Sequence, residues 1–232
     1  MPIYKQKTNL LDLKSNYLSF VYNTKKEVKF NLLEEEMQRI VNLTCPGCGG
    51  AASTGDKECK FCHRPIIITT FNSVYSMSMP EVNKYASTYK KALDSNPDNQ
   101  DLNTSIAMCY LKLGLHDKSL VAFEKAIEDN FDNSETFFYL AVTLLKGKKA
   151  FLSPRPVIDK IEEYLNAALM IEPKGIYYYF QAYIKYDYYS RKYFKTSPTY
   201  LEALEQAKQI GLSPTDIEQL YNILGVDRPT CI

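Results

Sequence analysis

The sequence predicts a mainly α-helical protein: an α-solenoid of antiparallel helix pairs, preceded by a small cysteine-bound β segment. Three observations carry that reading. From residue 80 onward, apolar residues recur at helical spacing in short blocks divided by turn residues. Small and aromatic side chains follow one another in a fixed order across consecutive blocks. Four of the six cysteines fall in two C-x-x-C pairs.

Composition bounds the problem. The chain has 232 residues, 45% of them hydrophobic and 24% charged, with a net charge of +1. That is ordinary for a globular protein, and long enough for one sizeable core or two small ones. A near-neutral chain has no global pull on nucleic acid or an anionic membrane, so any basic footprint must be local. No apolar run approaches the length of a membrane span. The start, MPIYKQKTNLLDLKSN, lacks the apolar core and small-residue site of a secretory leader, so a cytoplasmic location is expected.

The clearest stretch is residues 100–133. Leu102, Ile106, Cys109, Tyr110 and Leu113 mark one helix; Leu120, Phe123, Ala126 and Ile127 mark the next. Gly114 stops the first, because a residue without a Cβ takes a left-handed cap cheaply. Ala107 and Ala126 allow close approach of the helices, while Tyr110 and Phe123 fill the space between successive pairs. This order resembles the tetratricopeptide repeat, a helix-turn-helix unit of about 34 residues.

The resemblance extends over 80–225. Pro80 suits the first turn of a helix; Val82, Tyr85, Tyr89, Ala92 and Leu93 form its face, and the stretch 80–97 is expected as an entry half-repeat. Repeats are expected at 100–133, 134–173 and 173–212. The second carries Phe137, Leu140, Ala141 and Leu144, then Ile161, Leu165, Ala168 and Leu169. The third carries Tyr179, Ala182, Tyr183 and Tyr186, then Tyr200, Leu204 and Ala207. Both are longer than the template, with the excess between their helices. A capping helix is expected at 214–225, since a repeat array needs a polar end.

Residues 1–40 read as an N-terminal arm. Alternation around Leu18–Tyr22 and Val28–Phe30 fits a hairpin; Asn31 with Glu34 fits a capping box before a short helix.

Cys45-Pro-Gly-Cys48 and Cys59-Lys-Phe-Cys62 are two C-x-x-C turns ten residues apart. Facing turns of this kind make a tetrahedral four-sulfur cage suited to zinc. Gly47 and Gly49 are expected to tighten the first turn, and Ile66–Thr70 reads as a strand. The span 41–72 resembles a zinc ribbon. Four cysteines fill every position of a tetrahedral ion, so the Zn2+ is expected to be structural. Cys59-x-x-Cys62-His63 also matches a haem-attachment pattern, but that chemistry belongs to exported chains and a second pair competes for the thiols. Iron in the same cage, and thiol–disulfide exchange, are the other readings; His63 and the short interval fit the first poorly, and two facing pairs favour metal over the second.

The repeat resemblance implies a groove lined by the first helix of each pair, where a peptide or helix of a partner protein binds. Asp101, Thr104, Met108, Phe138, Val142 and Leu145 are its expected lining. The two insertions supply a basic edge: Lys146, Lys148, Lys149 and Arg155 in one, Arg191, Lys192 and Lys195 in the other, interleaved with Phe151, Tyr188, Tyr189, Tyr193 and Phe194. Cations among aromatics are the composition of a nucleic-acid or acidic-partner site. There is no Ser-His-Asp set and no phosphate-binding glycine loop. The reading is a non-catalytic adaptor that binds another protein, with a nucleic-acid-associated factor as the alternative.

Overall fold

A computed structural model describes residues 40–128 and 132–232. The hairpin and helix expected before residue 40 lie outside them.

The described chain opens with two short antiparallel strands, β1 (Asn42–Thr44) and β2 (Ala51–Ser53), in register Asn42 opposite Ser53. Helices follow to the end: α1 (Phe71–Tyr75), α2 (Met79–Leu93), α3 (Gln100–Lys112), α4 (His116–Ile127), α5 (Ser134–Thr143), α6 (Arg155–Ile171), α7 (Gly175–Ile184), α8 (Tyr200–Ile210) and α9 (Pro214–Leu224). The pairs α3/α4, α5/α6 and α7/α8 pack as hairpins, each against the next, with α2 packed on α3. The fold is therefore a helix-pair α-solenoid preceded by a small β ribbon. No described helix is long and apolar enough to cross a membrane.

Helix starts follow from sequence. Asn99 and Asn133 accept through Oδ1 from the N–H groups of Leu102 and Thr136, satisfying donors that a helix leaves unpaired at its first turn. Thr199 and Glu202 form a reciprocal capping box at α8. Gly114 ends α3 at φ +70°, and Gly225 ends α9 at φ +63°. Gly175 has a different role: a Cβ there would fall 1.8 Å from the Gly211 carbonyl, so the start of α7 and the end of α8 meet backbone to backbone.

Eight tyrosines lie between 177 and 193, more than one helical face can bury. The structure resolves this with a π turn. At Lys185–Tyr189 α7 widens, which shifts the register of the inward face. Tyr177, Tyr179 and Tyr183 are buried before the turn, Tyr188 and Tyr189 after it, and Tyr193 is fully exposed.

The expected strand at Ile66–Thr70 is not formed. Pairing stops at one isolated bridge, Glu58 with Pro65, where Ile66 N–H donates to the Lys57 carbonyl (3.2 Å); beyond it no described strand flanks the segment, and helix hydroxyls take the place of a ladder. Tyr85 Oη donates to the Pro65 carbonyl (3.3 Å) and Tyr89 Oη to the Ile66 carbonyl (2.7 Å). Ser105 Oγ accepts from the Ile68 N–H (2.9 Å) and sits 3.3 Å from its carbonyl. A buried backbone needs partners of some kind, and hydroxyls meet that need here. Ile66 and Ile68 are fully buried, so the ribbon is bonded into the array through the chain that leaves it.

Candidate metal centre and interaction faces

The two cysteine turns are near copies of each other. In the first, the Cys45 carbonyl accepts from Gly49 N–H (2.8 Å) and Cys45 N–H donates to Gly50 (2.6 Å). In the second, the Cys59 carbonyl accepts from His63 N–H and Cys59 N–H donates to Arg64, both 2.8 Å. The fourth residue after each leading cysteine is left-handed: Gly49 at φ +82° and His63 at φ +57°. His63 thus holds a turn conformation. It is exposed and not part of the sulfur cluster.

The sulfurs converge. Cys45 and Cys62 Sγ are 3.6 Å apart, as are Cys48 and Cys59 Sγ, and all four lie within 4.8 Å of one another. Four thiolates about 2.3 Å from a tetrahedral ion stand about 3.8 Å from each other, so the cage has the size that zinc needs. The turns also fit face to face. A Cβ at Gly47 would meet Arg64 Cδ at 2.7 Å, and one at Gly50 the Phe61 ring at 2.6 Å. Gly47 therefore supplies space between the turns, whereas Gly49 supplies the left-handed bend.

Charge inside the cage is uneven. The backbone N–H groups of Phe61 and Cys62 hold the Cys59 thiol down to about 6, against burial. At Cys62 the Arg64 N–H pulls downward, but burial and the three neighbouring sulfurs win and push the thiol up to about 12. Four sulfurs this close cannot all carry charge unless a cation shares the site. Among the described residues this is the one cluster of side chains placed to hold a metal. Cys109 is a buried core residue, its thiol pushed up by burial, and Cys231 is exposed.

The face formed by the first helices is not an open groove. Of the residues expected to line it, Asp101 is exposed, while Thr104, Met108, Phe138, Val142 and Leu145 are all buried. Two segments of the same chain lie across it. Near α3, α1 packs with Phe71 and Val74 inward, and the Phe71 ring stands 5.2 Å from that of Tyr139. From the other end α9 runs over α7 to α5, burying Leu220 and Leu224. Its Tyr221 ring meets Tyr183 at 5.9 Å and Tyr179 at 6.3 Å. The two coverings are joined where Asn222 Nδ2 donates to Tyr75 Oη (2.6 Å). Sequence periodicity marked these positions as apolar without distinguishing a lining from a core.

The basic edge is brought together, but largely against itself. The buried Asp187 accepts from Phe151 N–H (2.8 Å) and from Arg191 (2.5 Å), tying one insertion to the other. Arg191 and Lys192 lie over the Phe151 ring at 4.5 and 5.0 Å. Lys146 pairs with Asp117, and Arg155 with Asp159 while lying over Tyr189. Within the joint, Lys185 is buried and paired to Glu162 at 2.6 Å. Lys148, Lys149 and Lys195 are exposed, and no acidic partner faces them among the described residues. The sequence showed the cations and aromatics but not the buried Asp187 that gathers them.

No family model matches the chain, and no curated protein matches it. Among solved structures, it is similar to a chain described as MamA MSR-1 C2, at 17% identity and a TM-score of 0.44, over 60% of this chain and 82% of that one. A likeness of that degree says nothing of partner or activity.

Proposed function

We propose that this protein is a non-catalytic scaffold of the tetratricopeptide kind that binds another protein, its N-terminal ribbon held shut by one structural Zn2+. The observation that carries the reading is the four-sulfur cage. Cys45, Cys48, Cys59 and Cys62 would fill all four positions of a tetrahedral ion, leaving none for water or substrate. Such an ion neutralises the crowded thiolates and cross-links two turns too small to build a core of their own. The chain leaving the cage is then fixed to Tyr85, Tyr89 and Ser105 of the array. A rigid array on a metal-pinned end presents fixed surfaces, which is what repeat scaffolds offer to partners.

The test is capture of partners from the native host by the zinc-loaded protein, with half of the lysate treated with nuclease. A discrete protein retained after nuclease supports the scaffold. Recovery that collapses with nuclease, and is lost on charge reversal at Lys148, Lys149, Arg191 and Lys192, moves the function to nucleic acid.

A further inference from the structure

With the first-helix face covered, one surface that no described segment covers lies on the other side of the array, between α2 and α4. There a groove with a cavity volume of about 480 Å³ runs over α3. Its walls and floor are stripes on α4 and α3 and the end of α2 with the turn that follows it. On α4, Lys118, Val121, Ala122 and Lys125 stand at i, i+3, i+4 and i+7. On the α2 side, Lys90, Leu93, Asp94 and Pro97 repeat that spacing. The floor is Asn103, Ile106 and Tyr110 of α3. On α4 and α3 side chains at these intervals share one helix face, so the groove runs about two helical turns, or roughly 10 Å.

Its chemistry is specific. Val121 is 57% exposed although it belongs to a wall otherwise apolar toward Ala122, Ile106 and Leu93. Three lysines stand on the rim, and none has an acidic partner among the described residues. Lys118 instead lies 5.8 Å from the Tyr110 ring. Of the two rim acids, Asp117 is engaged by Lys146 at 2.6 Å, which leaves Asp94. The rim is therefore cationic in excess. Neither wall nor floor offers a strand edge, so a bound segment must satisfy its own backbone.

We infer that the α2–α4 groove is a docking site for an amphipathic helix of a partner protein, apolar at i, i+3 or i+4 and i+7 and acidic on its flanks. The apolar edge lies on Val121, Leu93 and Tyr110; the flanking carboxylates meet Lys90, Lys118 and Lys125. This rests on the scaffold reading and assigns it a surface.

The probe is a fluorescein-labelled helical peptide with leucines at that spacing and glutamates beside them. One twin has lysine for each glutamate, and another serine for each leucine. Anisotropy is read on the full zinc-loaded chain. The glutamate peptide is expected to bind at least tenfold tighter than either twin. Val121→Asp is expected to weaken it at least tenfold with zinc content and helicity unchanged. Lys118→Glu with Lys125→Glu is expected to reverse the preference toward the lysine twin, a swap that general damage to the fold would not produce. Equal binding of the three peptides, or of the wild-type and Val121→Asp proteins, would overturn the site. If a native partner is captured equally well by Val121→Asp, the scaffold stands and this groove is not its site. If nothing is captured, the scaffold reading fails.

Discussion

The two faces of the helical array are built from similar residues and end in opposite conditions. On the first-helix side, Met108, Phe138, Val142 and Leu145 lie beneath α1 and α9. On the second-helix side, Val121, Tyr110 and Leu93 line a groove that no described segment fills. Periodicity along single helices is alike on both sides. The difference lies in what the chain does elsewhere: the described residues return twice across one side and do not cross the other. Helical pattern thus reports that a face is apolar, and only the tertiary path reports whether it is free.

The largest break in this comparison should come from the metal. With the proposed Zn2+ in the cage, chelation, or Cys45→Ser, would remove a term on the order of 10 kcal/mol from the ribbon. Because the chain after the ribbon leads directly into α1, the α3 end of the covered face should open with it. The expected outcome is a large fall in melting temperature and new binding of an apolar dye. A melt unchanged by chelation would separate ribbon from array.

The next largest effect contrasts the faces directly. Leu224→Ala and Leu220→Ala empty nearly fully buried positions on α9 and are expected to cost about 2–4 kcal/mol each. Val121→Ala, on the open side, should change stability by no more than about 0.5 kcal/mol. Denaturant titration of the three variants checks the ordering. Equal costs would mean that the covering of α9 is not specific.

Asp187→Ala tests the joint between the insertions. It strands the Phe151 N–H and removes the partner of Arg191, at an expected cost of about 1–3 kcal/mol. Arg191→Ala should cost less, because the guanidinium is partly in water.

The smallest effect is one of pH. Burial holds His116 below its ordinary value, with Asp117 opposing and Lys146 reinforcing. The unfolded chain then takes up the proton first. Stability is present in full above about 6.5 and declines as pH falls below it. His116→Gln should flatten that part of the profile slightly, as read by thermal melts between pH 7 and 5.

Much of this was legible in the sequence, for definite reasons. The cage was visible because C-x-x-C turns are local, and their spacing alone brings four thiols together. The helix pairs were visible because apolar residues recur at helical spacing within each block and Gly114 marks a helix end through its own chemistry. The segment Ile66–Thr70 misled because an isoleucine run is apolar in a strand and equally apolar in an irregular segment bonded to hydroxyls 20 or more residues away. The groove misled for the same kind of reason. Tyr75 and Asn222 join the two coverings across 147 positions, a distance over which no local pattern carries information. Asp187 was hidden by its neighbours, since a lone acid in a basic, tyrosine-rich insertion reads as solvent-facing until its burial is known.

Hydrogen exchange of the zinc-loaded chain tests the central claim most directly. If α9 is packed across the first-helix face, its amides from Ile217 to Gly225 should be protected to nearly the same degree as those of α5 beneath it, while the rim of the α2–α4 groove stays accessible. Exchange of α9 at the rate of an unfolded segment, with α5 still protected, would contradict the account and return the first-helix face to the list of open surfaces.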